Sequence, residues 1–168
     1  PFVRRRTLTI LLFAVASGIT ALVFGVALAA SVLRQDRGNE TVQRIGKAIE
    51  EGARAFLSLE YRLLAIFVVA VAVVLAVLID YDVTGRVAEN TARVDGDRDF
   101  PSTAIAYLAG ALGSAVAGYA GMMIAVKANT RTTVQAQKGL NSALRVAFSS
   151  GAVMGVTVVG IGLLGMTA

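Results

Sequence analysis

The carboxylates of Asp95–Gly96–Asp97–Arg98–Asp99 alternate along the chain in the way that opens a calcium-binding loop. Such a loop also needs glycine at its sixth position and glutamate at its twelfth. Phe100 and Ala106 occupy those places, so the run reads as a solvated loop and no metal ligands are expected. A second set, Lys127, Arg131, Lys138 and Arg145, has the charge to meet phosphate. No glycine-rich loop followed by Lys-Ser or Lys-Thr accompanies it, and a basic membrane-flanking turn explains it equally well. Histidine and cysteine are absent. That removes the commonest general base and any thiolate metal site or disulfide, and no nucleophile with a neighbouring base stands out.

The elements that carry these residues are set by four stretches without a charge, 7–33, 63–79, 102–126 and 146–168. A helix crosses the hydrocarbon core in about 17–25 residues, so each is long enough to span, the second only just. Of the residues, 56% are hydrophobic and 16% charged, outside the range of about 25% charged that soluble domains keep. The expected fold is therefore all-α: a polytopic membrane protein of four transmembrane helices with helical cytoplasmic connections. Arg4, Arg5 and Arg6 before the first stretch imitate a signal peptide, but the stretch exceeds the roughly 7–15 apolar residues of a signal sequence. The chain starts at Pro1 and ends at Ala168 in an apolar run, which reads as a fragment of something longer.

Charge asymmetry orients the helices. The first connection, 34–62, holds six basic and five acidic residues; the third, 127–145, holds four basic residues and no acid. In a four-span chain these two share a side, and the positive-inside rule places that side in the cytoplasm, leaving 80–101 facing outward. The sixteen basic residues against eleven acidic ones are accounted for in this way, and no nucleic-acid partner is expected. Gly38 and Asn39 read as a turn and helix cap with Glu40 in the first turn. Val42, Ile45, Ile49, Ala53, Phe56 and Leu59 then recur at helical spacing, predicting an amphipathic helix over about 40–61 that runs into the second span. Gly139 is expected to interrupt the helical extensions of the third connection.

Within lipid, helices associate through small residues that let backbones approach. The first span offers Ser17, Ala21, Gly25 and Ala29. The third offers two lines: Ala106, Gly110, Ser114 and Gly118, and Gly113, Ala117, Gly121 and Ala125. The fourth offers Gly151 and Gly155, followed by Gly160, Gly162 and Gly165. Gly110, Gly113, Ser114, Ala117, Gly118, Gly121, Gly151 and Gly155 are the expected packing positions. The second span has no glycine and is expected to face lipid. No span contains an ionisable side chain, so an ion path through these helices alone has no counter-charge.

Three stretches carry a resemblance. GNETVQRIGKAIEEGARAFLSLEY (38–61), AGYAGMMIAVKANTRTT (117–133) and KGLNSALRVAFSSGAVMG (138–155) resemble, in order and spacing, the membrane-bound ion-pumping pyrophosphatases. Ser149 stands where that family's pattern leads one to expect arginine. The resemblance implies a homodimeric pump in a prokaryotic plasma membrane that hydrolyses magnesium pyrophosphate and moves protons or sodium ions outward. It implies Mg2+ as cofactor, with K+ as a candidate second cation, held by aspartate-rich motifs on later helices. None of those motifs is present here. The implied part is the amino-terminal segment of an outer ring, with the remaining helices of the pump and the lipid bilayer as partners, and no catalytic, substrate or metal residue in this chain. The competing readings are a small four-helix membrane scaffold and a non-enzymatic transporter subunit.

Overall fold

A computed structural model describes residues 2–80 and 102–167, with side chains described for 9–79 and 102–167. The acidic run at 95–99 and the rest of the second connection lie outside the described residues. The chain forms four long helices: α1 (Phe2–Leu33), α2 (Glu40–Leu75, ended by a π-helical turn at Ala76–Asp80), α3 (Ser102–Ala136) and α4 (Leu140–Thr167). All four are long and apolar enough to cross a membrane. At 1.5 Å per residue, α2 and α3 are each roughly 53 Å long, against about 30 Å of hydrocarbon. Their polar ends, 40–62 and 127–136, therefore project beyond the bilayer.

Burial is inverted relative to a water-soluble bundle. Large apolar side chains such as Phe13, Val26, Phe67 and Leu112 lie on the outside, while the buried set is mostly alanine and valine. Lipid tails are as apolar as leucine, so large side chains gain nothing by turning inward, and close packing between backbones decides the interior.

Two compact units divide the chain. The larger comprises Pro1–Leu57 and Gly113–Ala168. In it α1 packs along α4, with Gly18 against Gly160. A Cβ on Gly18 would lie 3.1 Å from the Gly160 carbonyl oxygen, and one on Gly160 would lie 3.0 Å from that of Gly18. Further along, Gly25 faces Val156 and Thr157. The seam thus runs through Gly18, Gly25 and Val32, all buried and one heptad apart. On α3, Gly113 faces Ile161, Gly121 faces Met154, and Ala117 is buried. Val32, Ala128 and Val146 close one end of the packing as a buried cluster.

Of the two small-residue lines on α3, the one through Gly113, Ala117 and Gly121 meets other helices. On the other line, Ser114 is exposed and Gly118 half-buried, and a Cβ on Gly110 would meet nothing within 4 Å. The same holds for Gly151 and Gly155, so among the described residues α4 makes its close approach at Gly160 instead. Spacing alone marks a smooth face; it does not say whether lipid or protein lies against it.

The smaller unit, Ser58–Leu112, holds the apolar part of α2 and the start of α3. Leu63, Ile66, Phe67, Val69 and Val73 are all more than half exposed.

Gly160→Val should destabilise the bundle by about 1–3 kcal/mol, because one of the atoms it strikes is backbone and cannot rotate away. Gly162→Val, whose Cβ meets open space, should change stability by less than about 0.5 kcal/mol. Thermal unfolding in detergent micelles compares the two, and equal losses would contradict the seam.

Candidate functional site: a basic cleft at one end of the bundle

The chain leaves α1 through a short, ordered connection. Arg34 N donates to Ala30 O at 3.0 Å and Gln35 N to Val32 O at 3.2 Å, completing the last turn. Gly38 takes φ +81°, which glycine adopts without steric cost, and its N–H donates to Asp36 Oδ1 at 3.0 Å. Asn39 caps α2: its Oδ1 accepts from Val42 N at 3.0 Å, satisfying one of the orphan donors at a helix start. Gln43 Nε2 reaches back to Gly38 O at 2.7 Å. At the far side, Gly139 at φ +137° separates α3 from α4, and Lys138 N donates to Gln135 O at 3.0 Å. The cap at Asn39 and the break at Gly139 both fall where the sequence places them.

The two connections meet. Gln135 Nε2 donates to Gln35 Oε1 at 2.9 Å, and a Cβ on Gly38 would lie 2.6 Å from Val134 Cγ2. Gly46 on α2 likewise abuts Thr130 on α3. Connections one and three thus lie at the same end of the larger unit, as an even number of spans between them requires.

Arg131 joins these parts. It is 3% exposed; its Nη2 donates to Leu33 O at 3.1 Å and its Nη1 to Lys127 O. The last carbonyls of a helix have no partner within it and carry the negative end of its dipole. Arg131, from α3, supplies both the donor and the opposite charge to the end of α1. Among the described residues its Nε is buried without a hydrogen-bond partner. Arg131 lies past the charge-free stretch that ends at Val126. Burial first, and then the Arg37 charge, hold its guanidinium below the ordinary value, yet a guanidinium stays protonated across the physiological range.

Beside Arg131 an open cleft of about 700 Å3 runs between α2 and α3. Its cations are Arg37, Arg44, Lys47, Lys127 and Arg131, and its acids Glu40 and Glu50. Glu50 pairs with Arg54 at 2.7 Å, a residue outside the lining. Among the described residues no carboxylate pairs with any of the five lining cations. A smaller cavity of about 250 Å3 lies beside Gln35, Gln135 and Arg145. Among the described residues no three carboxylates gather as metal ligands would. The hydroxyls of Thr20 and Thr157 donate to their own helices, to Ala16 O and Val153 O at 2.7 Å each.

On α2 much of the apolar stripe stays open: Ile45, Ile49, Phe56 and Leu59 are 43–61% exposed, whereas Val42, Gly46, Glu50 and Ala53 are partly covered and Leu57 is buried. Gly46, too small to register as apolar, permits the approach to Thr130, and the helix turns toward it. The role of Arg131 was equally hidden, although Lys127 and Arg131 share a helix face by their spacing of four. Ser149 is half-buried, and nothing described there accounts for a serine.

Comparison with known proteins gives a consistent result. A family described as "Inorganic H+ pyrophosphatase" matches residues 19–168. A K+-insensitive pyrophosphate-energized proton pump 2 of Moorella thermoacetica is 41% identical over 153 residues, 91% of this chain and 20% of that protein. A K+-insensitive pyrophosphate-energized proton pump of Pyrobaculum aerophilum is 40% identical over 154 residues, 91% of this chain and 19% of the relative. A relative in Clostridium tetani whose name includes pyrophosphate-energized sodium pump is 37% identical over 146 residues, 87% of this chain and 19% of its own length. The chain thus spans about a fifth of the length of the curated relatives it matches. No solved structure matches it.

Arg131→Lys keeps the charge but cannot span the Leu33 and Lys127 carbonyls together, and should cost about 1.5–3 kcal/mol. Arg34→Lys, at an exposed position, should stay within about 0.5 kcal/mol of the parent. Chemical or thermal unfolding in micelles measures both; equal stability of the two variants would remove Arg131 from its capping role.

Proposed function

The chain belongs to the inorganic H+ pyrophosphatase family, and from that premise we propose that it is the amino-terminal helical scaffold of a pump coupling magnesium pyrophosphate hydrolysis to outward movement of protons or sodium ions. The observation that carries this reading is the family match across 150 of its residues, from 19 to 168. Relatives named as proton pumps and as a sodium pump match it to similar degrees, so the transported ion is left between the two.

In this reading hydrolysis is performed by helices beyond these four. Pyrophosphate carries several negative charges, and its cleavage needs divalent cations, carboxylates to hold them and an activated water. The acids of this chain lie on its connections, and its charge-free stretches contain no Asp, Glu, Lys or Arg. Mg2+, and K+ where it is required, would therefore be held elsewhere in the pump. The four helices serve as bilayer-embedded support, with connections 34–62 and 127–145 in the cytoplasm of a prokaryote and 80–101 outside its plasma membrane. The remaining helices of the pump would cover Ile45, Ile49 and Phe56, which stand exposed on α2 beyond the apolar stretch 63–79. A second copy of the whole pump completes the proposed homodimer.

Purification of the native protein carrying this chain, followed by reconstitution into vesicles, tests the proposal. The expected species is several times heavier than 17.4 kDa, hydrolyses pyrophosphate only with magnesium, and moves protons or sodium as it does so. The 168-residue chain alone should hydrolyse none. A native species of 17.4 kDa without hydrolysis would favour a small membrane scaffold, and hydrolysis by the isolated chain would place the chemistry within it.

A further inference from the structure

The cleft between α2 and α3 has a use that the pump reading does not assign. Leu33 and Val126 line it, and they are the last residues of the charge-free stretches 7–33 and 102–126. The cleft therefore begins at the depth where hydrocarbon gives way to lipid headgroups. Arg37, Arg44, Lys47, Lys127 and Arg131 line the same cleft. Both Arg131 bonds go to neutral carbonyl oxygens, so its charge is not compensated by an anion. Its Nε–H, on a side chain 97% buried by the 3% exposure above, lacks an acceptor altogether. A buried donor without a partner carries a free-energy cost; with both Nη groups engaged, Arg131 contributes its positive charge to the cleft, and the exposed Arg37, Arg44 and Lys47 supply the free donors.

The lining acids do not cancel this charge. Glu50 is engaged by Arg54, and Glu40 lies in the first turn of α2, where the helix dipole favours a carboxylate. About 700 Å3 is more than a lone ion needs and falls in the range of about 300–1,000 Å3 typical of sites for small organic ligands. Basic pockets between membrane helices on the cytoplasmic side suit phosphorylated lipid headgroups by charge and depth.

We propose that this cleft binds a phosphate group, with Arg37, Arg44, Lys47, Lys127 and Arg131 as its cationic wall. The ligand is an organic phosphate of headgroup size, and its depth favours an anionic phospholipid of the adjoining leaflet over free phosphate. Bound there, the ligand would neutralise the cluster and tie α2 to the end of α1 through Arg131.

The test places the native protein in nanodiscs of phosphatidylcholine with or without phosphatidylglycerol and counts retained phosphatidylglycerol by native mass spectrometry. A parallel arm titrates inorganic phosphate into the phosphatidylcholine discs by calorimetry. Lys47→Gln and Arg44→Gln, both at exposed positions on α2, should each lower binding about fivefold, as loss of one basic residue near a membrane surface does. Lys47→Arg should retain it. Lys138→Gln, a basic residue of the same end that does not line the cleft, should leave it unchanged. Melting temperatures of all four confirm that each is folded. Variant-sensitive retention of phosphatidylglycerol supports a lipid-filled site, and variant-sensitive binding of inorganic phosphate alone supports the site with a soluble ligand. Equal binding by the parent, Lys47→Gln and Arg44→Gln in both arms would overturn the proposal.

Discussion

A cation buried against the end of an apolar helix governs much of what surrounds it. The carbonyls that finish α1 emerge at Leu33, at the edge of the hydrocarbon, where an unpaired acceptor is costly. Arg131 meets the Leu33 oxygen from α3. To do so α3 must continue past its apolar stretch, and the connection after α1 must fold back close to Val134. Asn39, Gly38 and the Gln35–Gln135 bond then follow as the local means of holding that connection. The price is a charge without a counter-ion beside four other cations.

Below that polar end the same bundle is held by a different force. There is little hydrophobic drive between helices in lipid, and α1 and α4 come together because Gly18 and Gly160 have no side chains to keep their backbones apart. Packing of this kind is short-ranged, so an added methyl at Gly160 is felt while one at Gly162, where a Cβ would meet open space, is not. The two regimes complement each other. Glycine contacts set how closely the spans lie, and the arginine and glutamine contacts fix which ends meet.

This division explains what the amino-acid sequence discloses. The spans, the cap at Asn39 and the break at Gly139 are legible because each depends on local chemistry: charge-free length, a side-chain oxygen at a helix start, a backbone angle that glycine tolerates. The choice between the two small-residue lines of α3 is not legible, because Gly110 and Gly113 are equally small and lipid is as good a neighbour as protein. The contact between α2 and α3 is hidden for a related reason. Hydrophobic periodicity marks the apolar face of α2, whereas the contact with α3 is made through Gly46, which has no apolar side chain to count. Arg131 looks like any basic residue of a cytoplasmic turn until the end of α1, about 100 residues earlier in the chain, is brought to it. The three stretches that resemble a pyrophosphatase lie partly on this polar end, and Gly38, Gly121 and Arg131 within them make contacts between helices.

The meeting of the two connections is the claim on which the rest stands, and the absence of cysteine from the chain makes it directly measurable. Gln35→Cys and Gln135→Cys, combined in one protein in membranes, should be joined rapidly by a short bismaleimide, because the native side chains are hydrogen-bonded at 2.9 Å. Gln35→Cys combined with Thr133→Cys, exposed at a different angle around α3, should be joined far more slowly. If each single cysteine reacts with a monofunctional maleimide but the Gln35→Cys/Gln135→Cys pair is never bridged, the two ends do not adjoin, and both the Arg131 cap and the basic cleft are contradicted.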